Sequence, residues 1–183
     1  MKRTFSPLLP LLLLGAVIGG AEASGARQTE LPRMLAALPA EDRDHLANDT
    51  FTPLAHVRDL PAPVAQAMTK SVLYGAAPVK AMAEPGAKWQ ATDVVREQGL
   101  PRHRLLWAAV SLALCVIHYE SGGRGHSDSL FVLKLTRDKQ NKITQATPFA
   151  NIWVLPFSSI NQLQTVLKAG NFGQYQLPHT LPQ

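Results

Sequence analysis

The hydrophobic pattern of the chain changes near Gly99. Before this residue, apolar side chains recur in short helical patterns separated by alanines and prolines. After it, Leu-rich, β-branched and aromatic runs alternate with turn residues. Spacings of three or four residues are typical of helices, and alternation is typical of strands. The pattern therefore predicts an α+β fold, in which short N-terminal helices and one C-terminal helix pack on an antiparallel sheet of about four strands.

Short helices are predicted before Gly99. Leu31 to Leu38 and Pro39 to Ala47 each predict one or two turns, and a longer helix is expected after Asp59, with prolines in its first turn. One face of this longer helix would meet the sheet. That face consists of Val64, Ala67, Met68, Ser71 and Val72. Thr92 or Asp93 is predicted to cap a further short helix through Gln98.

Four strands and one helix are predicted after Gly99. The strands are Arg104–Ser111, Leu112–Glu120, Ser129–Thr136, and a run from Ile143 that is interrupted at Pro148 and resumes from Asn151 to Leu155. The second strand begins with apolar residues on both faces, so it is expected to be a central strand and to become more solvent-exposed towards His118 and Glu120. Ser159 with Gln162 forms a capping-box pair that opens a helix ending at Gly170.

The N-terminus has the layout of a secretory signal peptide. A basic start, Met1 to Arg3, precedes an apolar run, Leu8 to Ala21, and the small-residue triplet ends at Ala23. The run is shorter than the roughly 20 residues of a membrane-spanning helix. Cleavage between Ala23 and Ser24 is therefore predicted, with an uncleaved N-terminal anchor as the alternative.

Removal of residues 1–23 leaves one predicted domain, residues 24–183. It comprises a mainly helical part (24–99), the sheet with its helix (100–170) and a tail (171–183). The layout indicates a bacterial protein exported to the periplasm or the medium, with no membrane span in the mature chain.

Composition narrows the class without identifying a function. The chain has 183 residues and 46% hydrophobic content, which fits one domain with a substantial core. Its net charge is +5. Its single cysteine, Cys115, lies in an apolar run and cannot form an intramolecular disulfide. Trp89, Trp107 and Trp153 are not interleaved with arginines, so nucleic acid is not an expected partner.

The loop from His118 to Asp128 (HYESGGRGHSD) is the candidate functional segment because its composition is unlike its surroundings. Three interpretations remain open beside that of a functionally silent polar hairpin. The glycines and Arg124 suggest an anion-binding nest. His118, Glu120 and His126 suggest a metal site. Glu120 or His126 also suggests a general base acting on water or Ser127. The candidate ligand-binding residues are His118, Glu120, Gly122, Gly123, Arg124, Gly125, His126 and Ser127.

The sequence favours an exported binding or accessory protein whose glycine-rich loop makes the specific contact. The expected partner is an anionic small molecule, an envelope polymer or a protein. No cofactor is required, although a divalent metal remains an alternative. The competing hypothesis is a metal-dependent or acid–base hydrolase using His118, Glu120 and His126. The sequence contains no G-x-S-x-G, H-E-x-x-H or G-x-x-x-x-G-K motif to support an enzyme.

Overall fold

The computed structural model describes residues 38–71, 78–94, 97–123, 125–154 and 157–169. The predicted signal peptide, residues 31–37 of the first predicted helix, Val72, Arg124 and the tail lie outside these ranges. The helices are α1 (Ala40–Asn48), α2 (Ala62–Lys70) and α3 (Ile160–Ala169), with 3-10 turns at Val57–Asp59 and Val79–Ala81. The strands are β1 (Thr52–Leu54), β2 (Met82–Ala83), β3 (His103–Val110), β4 (Leu114–Ser121), β5 (Ser127–Arg137) and β6 (Ile143–Val154).

One mixed sheet organises the described residues as a single α+β domain. Its strand order is β1-β3-β4-β5-β6 with antiparallel neighbours, and β2 pairs in parallel with the start of β3. The α+β class is confirmed, but the sheet has six strands in place of about four. The two additional strands, β1 and β2, are only three and two residues long. Such lengths carry no alternation that a sequence pattern could reveal.

Helices cover both faces of the sheet. Helices α1 and α3 pack on one face, called here the α1/α3 face, and α2 packs on the other, the α2 face. The buried residues of the α1/α3 face include Leu46, Leu114, Val116, Leu130, Val132, Ile152, Leu163 and Val166. Those of the α2 face include Val64, Met68, Leu105, Cys115, Ile117, Tyr119, Phe131 and Leu133. The alternation predicted for β4 and β5 therefore matches the observed faces.

Strand β4 differs from its prediction at one end. His118 and Glu120, expected to be wetter, are 0% and 4% exposed. Aromatic rings from Trp107 and Phe157 pack against His118. Glu120 is enclosed by ion-pair partners on a neighbouring strand and in the β4–β5 loop. The prediction was wrong because Trp107, Phe157 and Arg104 come from other segments, which the local pattern of β4 does not contain.

Two further local predictions are corrected. The described residues between Thr92 and Gln98 contain no helix; the Gln90 side chain instead donates to the carbonyls of Thr92 and Val94, at 2.8 and 2.5 Å. Strand β6 is not interrupted at Pro148, because a register shift opposite Val132 and Leu133 accommodates the proline. A proline is tolerated there because β6 is an edge strand of the sheet and a residue at a bulge does not have to donate a hydrogen bond to the neighbouring strand.

Helix α2 begins at Ala62, after Pro61, and not directly after Asp59. The Asp59 carboxylate instead accepts a hydrogen bond from the His56 backbone at 3.0 Å. None of the helices in the described ranges is long and apolar enough to cross a membrane.

Candidate functional site

Charged side chains form a row across the ends of three adjacent strands. Arg104 of β3 is directly opposite Glu120 of β4, and Glu120 is directly opposite Asp128 of β5. Directly opposed residues project to the same face of a sheet. A register shift between Leu105 and Trp107 lets Arg104 and Trp107 share the α1/α3 face although they are three positions apart. The row therefore lies on that face, beside the core.

Glu120 is the centre of this row, and each of its carboxylate oxygens has a partner. Oε1 accepts a hydrogen bond from Arg104 Nε, and Oε2 lies 2.7 Å from His126 Nε2. The Glu120 side chain is 5% exposed, whereas that of His126 is 53% exposed. Ligand atoms of Glu120, His126 and Asp128 all lie within 4.8 Å of one another. We call Arg104, Glu120, His126 and Asp128 the polar cluster.

Trp89 covers the outer side of the polar cluster. The Arg104 guanidinium lies 5.2 Å from the centroid of the Trp89 ring, and the His126 ring centroid lies 5.7 Å from it. A shallow cleft of about 700 Å³ adjoins Trp89 and Arg104 and is lined mainly by the segment from Gly86 to Thr92. The arrangement leaves His126 accessible from solvent while Glu120 stays buried.

His118 lies behind the polar cluster, at its boundary with the core. Its ring centroid is 5.3 Å from that of Trp107 and 6.4 Å from that of Phe157. Its Nε2 is 3.9 Å from Asp128 Oδ1, and neither ring nitrogen has a hydrogen-bond partner among the residues that the structure describes. Burial lowers the pKa of His118 to about 4, although the Phe157 backbone acts in the opposite direction. The ring is therefore neutral near pH 7.

The glycines of the loop have a structural explanation. A Cβ at Gly122 would overlap the Gln90 carbonyl oxygen and lie 2.8 and 2.9 Å from the backbone of Ala91. The Gly122 N–H donates to the Arg102 carbonyl at 2.9 Å, and Gly123, with φ of +140°, forms a bridge with Thr92. Gly122 thus allows the Trp89 segment to approach the hairpin. Its N–H is already used, so the anion nest lacks this donor and remains only a sequence prediction.

Ser127 does not join the polar cluster. It is directly opposite Ser121 in the β4–β5 ladder, and this pair alternates with Glu120 and Asp128. Alternation assigns the two serines to the α2 face. Ser121 Oγ lies 2.9 Å from His103 Nδ1, and burial is the main cause that lowers the pKa of His103, with Arg102 contributing.

The structure brings together part of the predicted site and adds residues to it. Glu120 and His126 lie within hydrogen-bonding distance of each other, and His118 approaches Asp128. Sequence reasoning included Asp128 in the loop but not among the metal ligands. Its signal was the hairpin register, which follows once Ser121 is paired with Ser127. Arg104 and Trp89 had no comparable signal, because they come from other segments.

Comparison with family models, curated proteins and solved structures returned no match. The geometry of the polar cluster is therefore the basis for assigning a function.

Proposed function

We propose that the protein is an exported, single-domain binding protein and that it binds a divalent transition-metal ion through Glu120, His126 and Asp128. The observation that supports this proposal most strongly is the convergence of their ligand atoms within 4.8 Å. The exported location rests on the signal-peptide pattern of residues 1–23.

Charge favours a cation over an anion at this position. The polar cluster combines the carboxylates of Glu120 and Asp128 with one guanidinium, and that guanidinium is paired with Glu120. Two carboxylates against one guanidinium make the polar cluster a better environment for a cation than for an anion. Mixed imidazole and carboxylate donors suit zinc and its neighbours in the transition series. We therefore prefer a metal ion to the anionic molecule suggested by the loop composition.

The distances are compatible with metal coordination after small movements. Zinc bonds of roughly 2.0–2.1 Å at tetrahedral angles separate two ligand atoms by about 3.3 Å. His126 Nε2 and Glu120 Oε2, now 2.7 Å apart, would open by about 0.6 Å to admit the ion. His126 can move outward because its side chain is half-exposed.

A second candidate function is a metal-dependent or acid–base hydrolase. The specific observation in its favour is the half-exposed His126 imidazole, oriented by a buried carboxylate beside an open cleft. A zinc ion with three protein ligands also keeps a position for an activated water. Water would be the nucleophile, since Ser127 belongs to the opposite face. Hydrolysis of ester or phosphoester substrates that depends on added zinc and is lost in His126→Ala would favour this candidate over simple binding.

Calorimetric titration with zinc tests the binding proposal. We expect wild-type protein to bind one zinc ion per chain, and His126→Ala and Asp128→Asn to weaken binding by about tenfold or more, because each removes one ligand. The matched control is His56→Ala, since His56 Nδ1 lies 3.5 Å from Glu84 Oε2 in another half-exposed His–Glu pair. Equal zinc affinity in the two cluster variants and the wild type would contradict the proposal.

A further inference from the structure

We propose that His118 is a fourth ligand of this ion, so that two imidazoles and two carboxylates select transition metals over magnesium and calcium. This inference rests on the proposed metal-binding function. It assigns a role to a buried residue that simple packing does not explain.

The His118 ring is buried as a neutral imidazole. The residue is 0% exposed, and neither ring nitrogen meets a partner at hydrogen-bond geometry among the described residues. The interaction with the Phe157 backbone that raises the pKa of the ring falls short of that geometry. Buried polar atoms are nearly always satisfied, and an exception calls for a specific explanation such as an ion. A neutral imidazole offers a nitrogen lone pair, which is the form that binds metals.

The His118 ring lies on the same face of the sheet as the polar cluster. Alternation along β4 places His118 on the same face as Glu120, and Asp128 projects from the neighbouring strand directly opposite Glu120. His118 Nε2 is 3.9 Å from Asp128 Oδ1. Ligands of one tetrahedral zinc ion are about 3.3 Å apart, so the distance between His118 and Asp128 must shorten by about 0.6 Å. His118 must also move closer to the other ligands, because its ring lies outside the group of ligand atoms that meet within 4.8 Å.

The surroundings of His118 favour transition metals over magnesium and calcium. Rings from Trp107 and Phe157 flank His118, and Trp107 Nε1 donates to the Phe157 carbonyl at 2.6 Å. These aromatic rings offer no ligand atoms to the water molecules that magnesium usually retains. Two nitrogen donors also favour zinc, cobalt and nickel over calcium, which prefers oxygen ligands. His118 would thus set the preference, while His126 closes the solvent side.

Substitution with Co²⁺ as a spectroscopic probe tests this role. We expect the wild-type protein to give the intense visible absorption of four-coordinate Co²⁺. His118→Leu should shift and weaken that absorption, because water replaces the imidazole, and should weaken Co²⁺ binding by about tenfold or more. The matched control is His103→Leu. His103 is a part-buried histidine, but it is hydrogen-bonded to Ser121 Oγ and lies outside the polar cluster. The control should keep the wild-type spectrum.

The outcomes separate the two proposals. If wild-type protein binds neither Co²⁺ nor Zn²⁺, the proposed function fails and this inference fails with it. If wild type binds but His118→Leu binds with the same affinity and spectrum, only the role of His118 is overturned.

If His118→Leu does not fold, NMR of the wild-type protein provides a second test. Long-range ¹H–¹⁵N spectra of the wild-type protein should show two histidine rings whose nitrogen shifts change on zinc addition. A change confined to one ring would overturn the inference.

Discussion

Gly122→Ala should detach the Trp89 segment from the β4–β5 hairpin. In the native structure, the backbone of Gln90 and Ala91 lies where a Cβ on Gly122 would have to be. The obstructing atoms belong to the backbone, so no side-chain rotation can relieve the overlap. The segment must move away, and the Thr92–Gly123 bridge and the hydrogen bond from Gly122 N–H to Arg102 O are both strained by that movement.

The cost can be worked out from these contacts. Each backbone hydrogen bond contributes about 1 kcal/mol net. Disturbing two or three of them predicts a loss of about 2–3 kcal/mol in the free energy of unfolding, which lies within the usual range for overpacking. Movement of Trp89 should also increase the exposure of His126, because the two rings are in contact.

Urea unfolding followed by circular dichroism measures this loss, and Trp fluorescence reports the movement of the segment. Gly125→Ala is the matched control, because a Cβ at Gly125 would meet nothing within 4 Å and its φ is not positive. We expect the control to change stability by less than about 0.5 kcal/mol. Equal stability of the two alanine variants would refute the explanation given for Gly122.

Three further predictions test the core and its buried polar groups. The pKa of His118 is about 4 in the folded protein and 6.5 in the unfolded chain, so the unfolded chain binds an extra proton between these pH values. In the presence of a chelator, the free energy of unfolding should therefore fall by about 2 kcal/mol from pH 7.5 to 5. Urea unfolding measures this loss, and His118→Leu should remove that part of the pH dependence. Burial raises the pKa of the Cys115 thiol to about 12, so a thiol reagent should fail to modify the native protein and should react fully in urea. Rapid labelling of Cys115 in the native protein would contradict this prediction. Lys134→Met should destabilise the protein by about 1–3 kcal/mol, because Lys134 Nζ lies 2.8 Å from the buried Asp42 carboxylate, which would lose this partner. Adding Asp42→Asn to the Lys134→Met variant should restore part of the loss. A double variant that is no more stable than Lys134→Met alone would contradict the ion-pair explanation.

The long strands were predictable because their own residues specify their faces. Phe131 and Leu133 pack on the α2 face, while Leu130 and Val132 pack on the α1/α3 face, as their alternation indicates. Helix α3 was also predictable, since Ser159 Oγ accepts from Gln162 N–H at 3.3 Å and an apolar stripe follows. In these elements, short-range pattern and tertiary packing require the same residues.

The site was only partly predictable because its geometry depends on register and on distant segments. Glu120, near the end of β4, and His126, in the β4–β5 loop, are six residues apart, so their contact followed from sequence proximity. Burial of Glu120 depends on Arg104, which a bulge in β3 brings to the correct face. The glycines suggested anion binding, whereas Gly122 accommodates a neighbouring backbone that no local pattern reveals.

The position of a bound ion tests the central claim most directly. Zinc-edge anomalous diffraction from crystals soaked in zinc should show a peak at about 2.0–2.2 Å from ligand atoms of Glu120, His126 and Asp128. A peak only at another histidine–carboxylate pair, such as His56 with Glu84, would contradict the account, as would no peak at the polar cluster.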